Sequence, residues 1–350
     1  MCLLTDRGKQ GMAGNGKTAD MNKDGISLSV IIPVYNAGKY LDSCICSLLK
    51  AEVSSGIQII LVDDGSTDGS GAAADGHAEK YGNISVIHKA NEGPAEARNA
   101  GMRMAEGRYI FFCDADDEVV PELFSEVIGM AGNASEDIIL WDAEPFDDEG
   151  NEFPQKRKDY FIHRGLKESG GAVSGCGVME KMLDDCGDFP ATVWLGIHRT
   201  GYLKDNGLFF EKGLLHEDEL WAVKTLLSAK TVRYVPQKIY RYRIHKGSIT
   251  NPEVIDWRKN IESMLRLYPE LFGFCDERIG DISLRKKVKA ALAHRYIHMI
   301  FEYDFTGYGY GGKIDRKQLW DISDRLIDKC RLMLLALKVR NGSSRAKDVS

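Results

Sequence analysis

Tyr109-Ile-Phe-Phe-Cys-Asp-Ala-Asp-Asp117 passes abruptly from an apolar run into a cluster of carboxylates. A short apolar run stopped by polar turn residues reads as a strand covered on both faces, the kind that parallel sheets contain. The same design recurs on either side. Ser29-Val-Ile-Ile-Pro-Val34, Ile57-Gln-Ile-Ile-Leu-Val62 and Ile84–Ile87 are strands upstream, and Ile138–Trp141 is one downstream. Helical patterns separate them. Leu41, Ile45, Leu48 and Leu49 fall at i, i+4, i+7 and i+8, Glu96–Glu106 is rich in small residues, and Val119–Met130 is a third such segment. This alternation predicts an α/β fold with a mainly parallel sheet flanked by helices.

Ligands of an open parallel sheet bind outside the carboxyl ends of its strands. Acidic residues collect there: Asp63-Asp64 ends the second strand and Asp114-Ala-Asp-Asp117 the fourth. Carboxylates at i and i+2 past a strand point the same way, and oxygen ligands of that kind suit Mg²⁺ or Mn²⁺. The competing reading is a solvated acidic turn. Ser66 or Thr67 is placed to cap the helix after Asp63-Asp64.

Beyond the fifth strand, Asp142–Gly177 is polar and reads as a long loop or hairpin excursion. Order returns with Val178–Asp185, Thr192–Ile197, a helix over Asp218–Ser228 and strand-like runs at Thr231–Val235 and Ile239–Ile244. Helical segments near 253–272, 283–303 and 315–340 form a carboxy-terminal helical region.

At about 150 residues per domain, 350 residues suggest two domains, and 43% hydrophobic with 28% charged residues excludes disorder and collagen. The longest apolar run is the six residues Leu332–Leu337, against the ~20 that cross a bilayer. A net charge of −6 argues against a nucleic-acid partner held by a broad basic face. That total hides an asymmetry. Asp281–Ser350 carries 15 Lys and Arg against 8 Asp and Glu, net +7, and leaves 31 against 44, net −13, for residues 1–280. Eight cysteines without a C-x-x-C pair fit the scattered thiols of a reducing compartment. Residues 1–27 have no hydrophobic h-region, so cytoplasmic residence is expected.

One motif misleads. Gly11-Met-Ala-Gly-Asn-Gly-Lys-Thr18 matches the phosphate-binding G-x-x-x-x-G-K-[ST] at every fixed position. Such a loop needs a buried strand before it and a helix after it, and neither pattern is present. We read residues 1–27 as a flexible leader.

Four segments occur in order: Ser29-Val-Ile-Ile-Pro-Val-Tyr-Asn36, Leu61-Val-Asp-Asp-Gly-Ser-Thr-Asp-Gly-Ser70, Asn91-Glu-Gly-Pro-Ala-Glu-Ala-Arg-Asn-Ala-Gly101 and Tyr109–Asp117. Together they resemble the glycosyltransferase family 2 proteins of the GT-A fold, a Rossmann-like nucleotide-diphospho-sugar transferase architecture. Looser likeness continues through Leu215-His-Glu-Asp-Glu219 and Tyr240–Thr250, so that it covers about residues 28–250. The resemblance implies a catalytic domain over 28–250 followed by a helical extension over 251–350.

It also implies roles. Pro33, Tyr35 and Asp64 would hold the base and ribose of a nucleotide sugar, usually UDP-linked: Tyr35 offers a ring face, and Asp64 accepts from an imide N–H. Arg98 would reach the base or diphosphate, or pair with the aspartates at the sheet edge. Asn99 and Gly101 read as packing or turn residues. Asp114 and Asp116 match the D-x-D motif, whose metal, Mn²⁺ or Mg²⁺, bridges the phosphates. Asp117 reads as a cap or support. Asp218 of the Glu-Asp pair would be the general base of an inverting displacement, its rival role being a helix N-cap. His245 is a further candidate for metal or phosphate, or a structural histidine.

The implied activity is transfer of a sugar to a hydroxyl of a saccharide or lipid-linked saccharide in surface or capsular polysaccharide assembly. The excursion after residue 142 would help define the acceptor pocket. Leu326, Leu332, Leu335 and Val339 among Arg325, Lys329, Arg331, Lys338 and Arg340 suggest an amphipathic basic helix, resting on anionic lipid or packed on the catalytic domain. The alternatives are a GT-A binding module without activity, against which Asp114, Asp116 and Asp218 speak, and a nucleotidyltransferase, for which Asn36-Ala-Gly-Lys39 is a poor loop.

Overall fold

The computed structural model describes residues 25–51, 56–154, 159, 161–167, 173–245 and 257–347, with side chains to residue 340. The phosphate-loop match and nearly all of the leader lie outside these residues, as does the end of the motif after His245. Eight strands form one sheet: β1 (Leu28–Val34), β2 (Ile57–Asp63), β3 (Ile84–His88), β4 (Tyr109–Phe112), β5 (Glu118–Val119), β6 (Ile138–Phe146), β7 (Gly196–Arg199) and β8 (Val232–Arg243). Their order is β3-β2-β1-β4-β7-β6-β8-β5.

The half from β3 to β4 is parallel throughout, as the alternating pattern predicts. The other half is mixed. β7 runs antiparallel to both β4 and β6, β6 pairs with β8 in parallel, and β5 closes the edge antiparallel to β8. Gly196 allows the tight insertion of β7: a Cβ there would lie 2.5 Å from the Ile139 carbonyl oxygen. Pro33 stands beyond Ile31–Phe112, the last pairing of β1 with β4, where its missing N–H removes nothing from that ladder. The two strands part at that point, and the crevice between their ends is where the acidic residues gather.

Helices Leu41–Leu49, Ser70–Lys80, Pro94–Met104 and Pro121–Asn133 cover the sheet, and Leu41, Ile45 and Leu48 are buried as their spacing requires. The cap of Ser70–Lys80 differs from expectation: Asp68, not Ser66 or Thr67, accepts the Ser70 N–H at 3.0 Å. Gly101 sets the depth of Pro94–Met104 against β1, since an added Cβ would run into the Ile31 side chain.

Three readings are corrected. The polar stretch from Asp142 is not loop from its start: β6 continues to Phe146, and the helix Gly175–Cys186 begins before the expected end of the excursion. Asp142 is buried, accepting from the Tyr234 hydroxyl at 2.7 Å and the His163 N–H at 2.9 Å, so its polarity signalled a partner and not exposure. The two runs 231–235 and 239–244 are the single strand β8, irregular where it passes Asp142. The helix expected over 315–340 is two, Arg316–Ile322 and Leu326–Lys347.

The carboxy-terminal helices Arg258–Arg278 and Ile282–Glu302 share the buried core with the sheet half. Polar contacts are made there too: the Leu215 N–H donates to Ser263 Oγ at 3.0 Å, and buried Glu219 takes Tyr268 Oη at 3.1 Å and Arg295 Nη1 at 3.3 Å. No helix among the described residues is long and apolar enough to cross a membrane.

Gly101→Ala tests the helix-on-strand packing. Helix propensity alone favours Ala by about 1 kcal/mol. Forcing a methyl into Ile31, held in a central strand, costs about 1–3 kcal/mol. The denaturant midpoint should therefore fall, with the m-value unchanged.

Candidate functional site

The crevice at the carboxyl ends of β1, β2 and β4 is built from four loops stitched together by side chains. Asn36, in a left-handed conformation at φ 51°, accepts the Thr67 N–H at 2.9 Å, and its own N–H donates to Ser66 Oγ at 3.1 Å. Tyr35 sits on this stitched loop with its ring 55% exposed. Pro33 precedes it at the parting of the strands.

Asp63 and Asp64 diverge. Asp63 accepts the Ser66 N–H at 2.9 Å and pairs with His88 at 2.9 Å, contacts that hold its carboxyl below the usual range although burial alone would raise it. Asp64 is buried and faces the loop ahead of Pro94–Met104. Its Oδ1 accepts from Lys89 Nζ at 2.6 Å and the Glu92 N–H at 3.0 Å, and its Oδ2 from the Gly93 N–H at 2.7 Å. Of roughly four acceptor positions on a carboxylate, one on Oδ2 remains.

Arg98 is the buried hub. It rises from the Pro94–Met104 helix, with Nη1 on Glu217 Oε1 at 2.6 Å and Nη2 on Asp114 Oδ1 at 3.0 Å. The Phe210 ring lies 5.4 Å from the guanidinium. Burial works against the charge, but the two carboxylates outweigh it and raise the pKa further. Next to it, Asn99 clasps the backbone of Phe210 from both sides, Nδ2 to the carbonyl and Oδ1 from the N–H, each at 2.9 Å. Asn99 and Gly101 are packing residues, as read from the sequence.

The three aspartates after β4 face different ways. Asp114 meets Arg98, and burial together with Asp116 keeps its carboxyl above the ordinary range despite that cation. Asp116 pairs with His245 Nε2 at 2.9 Å, and the His245 ring packs on Tyr40 with centroids 4.5 Å apart. Asp117 turns inward and accepts from Tyr240 Oη at 2.6 Å and the Arg243 N–H at 2.7 Å. It caps no helix; it anchors β8 under the turn, and burial pushes its carboxyl well up. Arg243 braces the same turn, donating to the Asp116 carbonyl at 2.7 Å and to Glu118 at 2.6 Å.

The opposite wall is the first turn of the helix Glu217–Ser228. Its entry is His216, a non-glycine residue in the left-handed region at φ 62°, with its ring 3.1 Å from Asn260 Nδ2. A β-carbon in that region costs energy that surrounding structure must overcome. Phe112, Phe210 and Trp221 stack around one another at 4.7–5.3 Å, binding this helix to the end of β4. Asp218 is not the N-cap, a position His216 occupies; it lies in the first turn and, among the described residues, accepts the Glu219 N–H alone, at 2.9 Å. Burial and then the Glu217 charge push its carboxyl up to about 7, against the pull of Arg98.

Asp114, Asp116, Asp218, Arg98 and His245 thus converge on one crevice, with Tyr35 and Pro33 at its β1 side. Asp64 lines the wall and does not point free into it. Among the described residues, no group of three or more His, Cys, Asp and Glu side chains forms a metal cage. Asp114 and Asp116, each about a third exposed, with His245 beside them, make an oxygen- and nitrogen-donor set that suits Mn²⁺ or Mg²⁺ only if phosphate oxygens or water complete the shell.

Sequence reasoning did not assign Glu217, Arg243 or Lys89. Glu217 was visible beside Asp218, and a buried arginine needing a second carboxylate was the signal. Arg243 carried none, because its partners are far away in the chain, and the tie of Lys89 to Asp64 spans 25 residues.

The glycosyl transferase family 2 model matches residues 29–184. A glycosyltransferase of Escherichia coli K12, YibD, is 34% identical over 223 residues, which are 64% of this chain and 63% of that one. The glycosyltransferase GlyG of Streptococcus pneumoniae is 28% identical over 323 residues, 91% of this chain and 99% of that one. The solved structure of residues 1–349 of Staphylococcus aureus TarS with UDP-GlcNAc superimposes with a TM-score of 0.68 at 20% identity, over 90% of this chain and 88% of that one. At that identity the likeness establishes the fold, a GT-A α/β sheet with helices. Family model, relatives and fold agree in what this chain resembles, and over residues 29–184 it is similar to glycosyltransferase family 2.

Proposed function

We propose that this glycosyltransferase transfers a sugar from a UDP-sugar to an acceptor hydroxyl with inversion at the anomeric carbon, with Asp218 as the general base. The observation that carries the reading is the chain Asp114–Arg98–Glu217–Asp218, in which one buried guanidinium ties the D-x-D edge to the wall bearing the base. The fold neighbour solved with UDP-GlcNAc supports a UDP-sugar as donor.

Each residue then has a task. Tyr35, exposed beside Pro33, offers its face to the base, and the remaining acceptor position on Asp64 Oδ2 suits an imide N–H. Arg98, held between two carboxylates, fixes Asp114 opposite the Glu217–Asp218 wall. A Mn²⁺ or Mg²⁺ ion held by Asp116 and Asp114, with His245 alongside, would supply charge neutralisation to the departing nucleoside diphosphate. Asp218 takes the proton of the acceptor hydroxyl as its oxygen bonds to the anomeric carbon and the bond to the diphosphate breaks. A carboxyl near 7 is matched to that work: it is ionised in much of the population at neutral pH and still basic enough to hold the proton. The acceptor class that fits is a saccharide or lipid-linked saccharide of a surface polymer.

Asp218→Asn should lower transfer about 10²–10⁴-fold with UDP binding by calorimetry intact. Transfer near the wild-type rate would remove Asp218 as the base. The folded chain holds this proton more tightly than the unfolded one, whose Asp titrates near 3.8, so ionisation costs the wild type stability as pH rises through about 7. Asp218→Asn should accordingly raise Tm relative to wild type at pH 8 and not at pH 4.

In the wild type, log kcat/KM should climb with unit slope to about pH 7 and then level, because the base acts ionised. A pH-independent profile from 5 to 8 would contradict that.

Arg98→Met leaves buried Glu217 and part-exposed Asp114 without their cation, a loss of about 3–5 kcal/mol in urea unfolding. Retained stability would mean that the pair is not the tie described.

A further inference from the structure

The helix Leu326–Lys347 has two apolar faces, and the stripe read from the sequence is, for most of its length, the one packed inward. Leu332 and Leu335 are buried and Val339 packs on the core beside them, which is the packed alternative of the two the sequence left open, while Leu326 stands outside that packing. Asp328 lies on that inner face, paired with His294 Nδ1 at 2.9 Å and with Arg331 at 3.9 Å. The outer face is different. Leu326, Cys330, Met333, Leu334 and Leu337 fall at i, i+4, i+7, i+8 and i+11, with Ile327 adjoining, and the five Leu, Ile and Met residues are all at least half exposed.

At 100° per residue, Lys329 and Arg340 fall on one side of this outer stripe and Arg331 and Lys338 on the other. Between Arg325 and Arg340 the only acidic residue is Asp328, which is buried. Beside the stripe, Trp320 is partly exposed, and with Met333 and Ala336 it lines an open depression of about 540 Å³ whose rim carries Arg316, Lys317 and Asp315, the last capping its own helix through the Gln318 N–H. The Lys329 ammonium sits 5.6 Å from the Trp320 ring.

We propose that this face is the docking surface for an anionic lipid bilayer, lying in the interface with Leu334 and Leu337 in the acyl boundary and the flanking cations at the headgroups. An apolar stripe bordered on both sides by Lys and Arg, with a tryptophan at its edge, matches a surface that is negative outside and apolar within. Long basic side chains reach that boundary by laying their stems along the apolar face. A second copy of the chain fits worse. A twofold contact would bring the same four cations of each copy together with no exposed acid on the stripe to receive them.

The test uses the full chain and vesicles of phosphatidylcholine with or without phosphatidylglycerol. Co-sedimentation should be strong with anionic vesicles, at least tenfold weaker with phosphatidylcholine alone, and weakened by salt. Leu334→Ser with Leu337→Ser should lower binding at least tenfold with the melting curve unchanged, since both side chains are exposed. Lys338→Glu with Arg340→Glu, which leaves the apolar stripe intact, should do the same. Equal binding by wild type and both double variants, or no preference for anionic vesicles, would overturn the proposal. So would a concentration-dependent dimer in sedimentation velocity that the serine variant abolishes, which would assign the face to a second copy.

Discussion

Arg98 brings together three elements that the chain keeps apart. Its guanidinium is buried, and burying a cation without partners is among the most costly things a protein does. Two carboxylates answer it, Asp114 sixteen residues away and Glu217 at a separation of 119. Because the fork is rigid and planar, it accepts the two partners only in a fixed relation. The end of β4, the helix Pro94–Met104 and the helix Glu217–Ser228 are therefore located relative to one another by a single side chain. Asn99, one residue on, repeats the tie in neutral form by clasping Phe210.

That arrangement leaves an imbalance with a use. Glu217 satisfies the arginine, and Asp218 next to it is left with burial, a like charge and one backbone donor. Its proton is consequently held near neutrality. The strained entry at His216 starts the helix at this pair of carboxylates. At the other wall, Asp117 and Arg243 use their hydrogen bonds to fix the turn, while Asp114 and Asp116 stay part-exposed beside Arg98 and His245.

The carboxy-terminal helices are part of this framework. Glu219, in the first turn with Asp218, is neutralised by Tyr268 and Arg295 from two of them, and His216 meets Asn260 of the first. The helical region thus supports the wall that bears Asp218 from behind, while its last helix turns a second apolar face to the outside.

The parallel half of the sheet, the crevice at its carboxyl edge and the aspartates that line it were legible in the sequence. Apolar runs that end in carboxylates are local signals, and period and composition report them directly. Asp114, Asp116, Arg98 and Asp218 could be named because their motifs are contiguous. The insertion of antiparallel β7, the burial of Asp142 and the union of two runs into β8 were not legible, because each depends on partners far along the chain. The same holds for the outward face of the last helix: both of its stripes have helical period, and only packing against His294 and the core selects which one is buried. Sequence alone determined which residues carry the motifs and where strands begin. Tertiary structure decided which charge answers which, since a buried arginine is stable only beside carboxylates that folding brings to it.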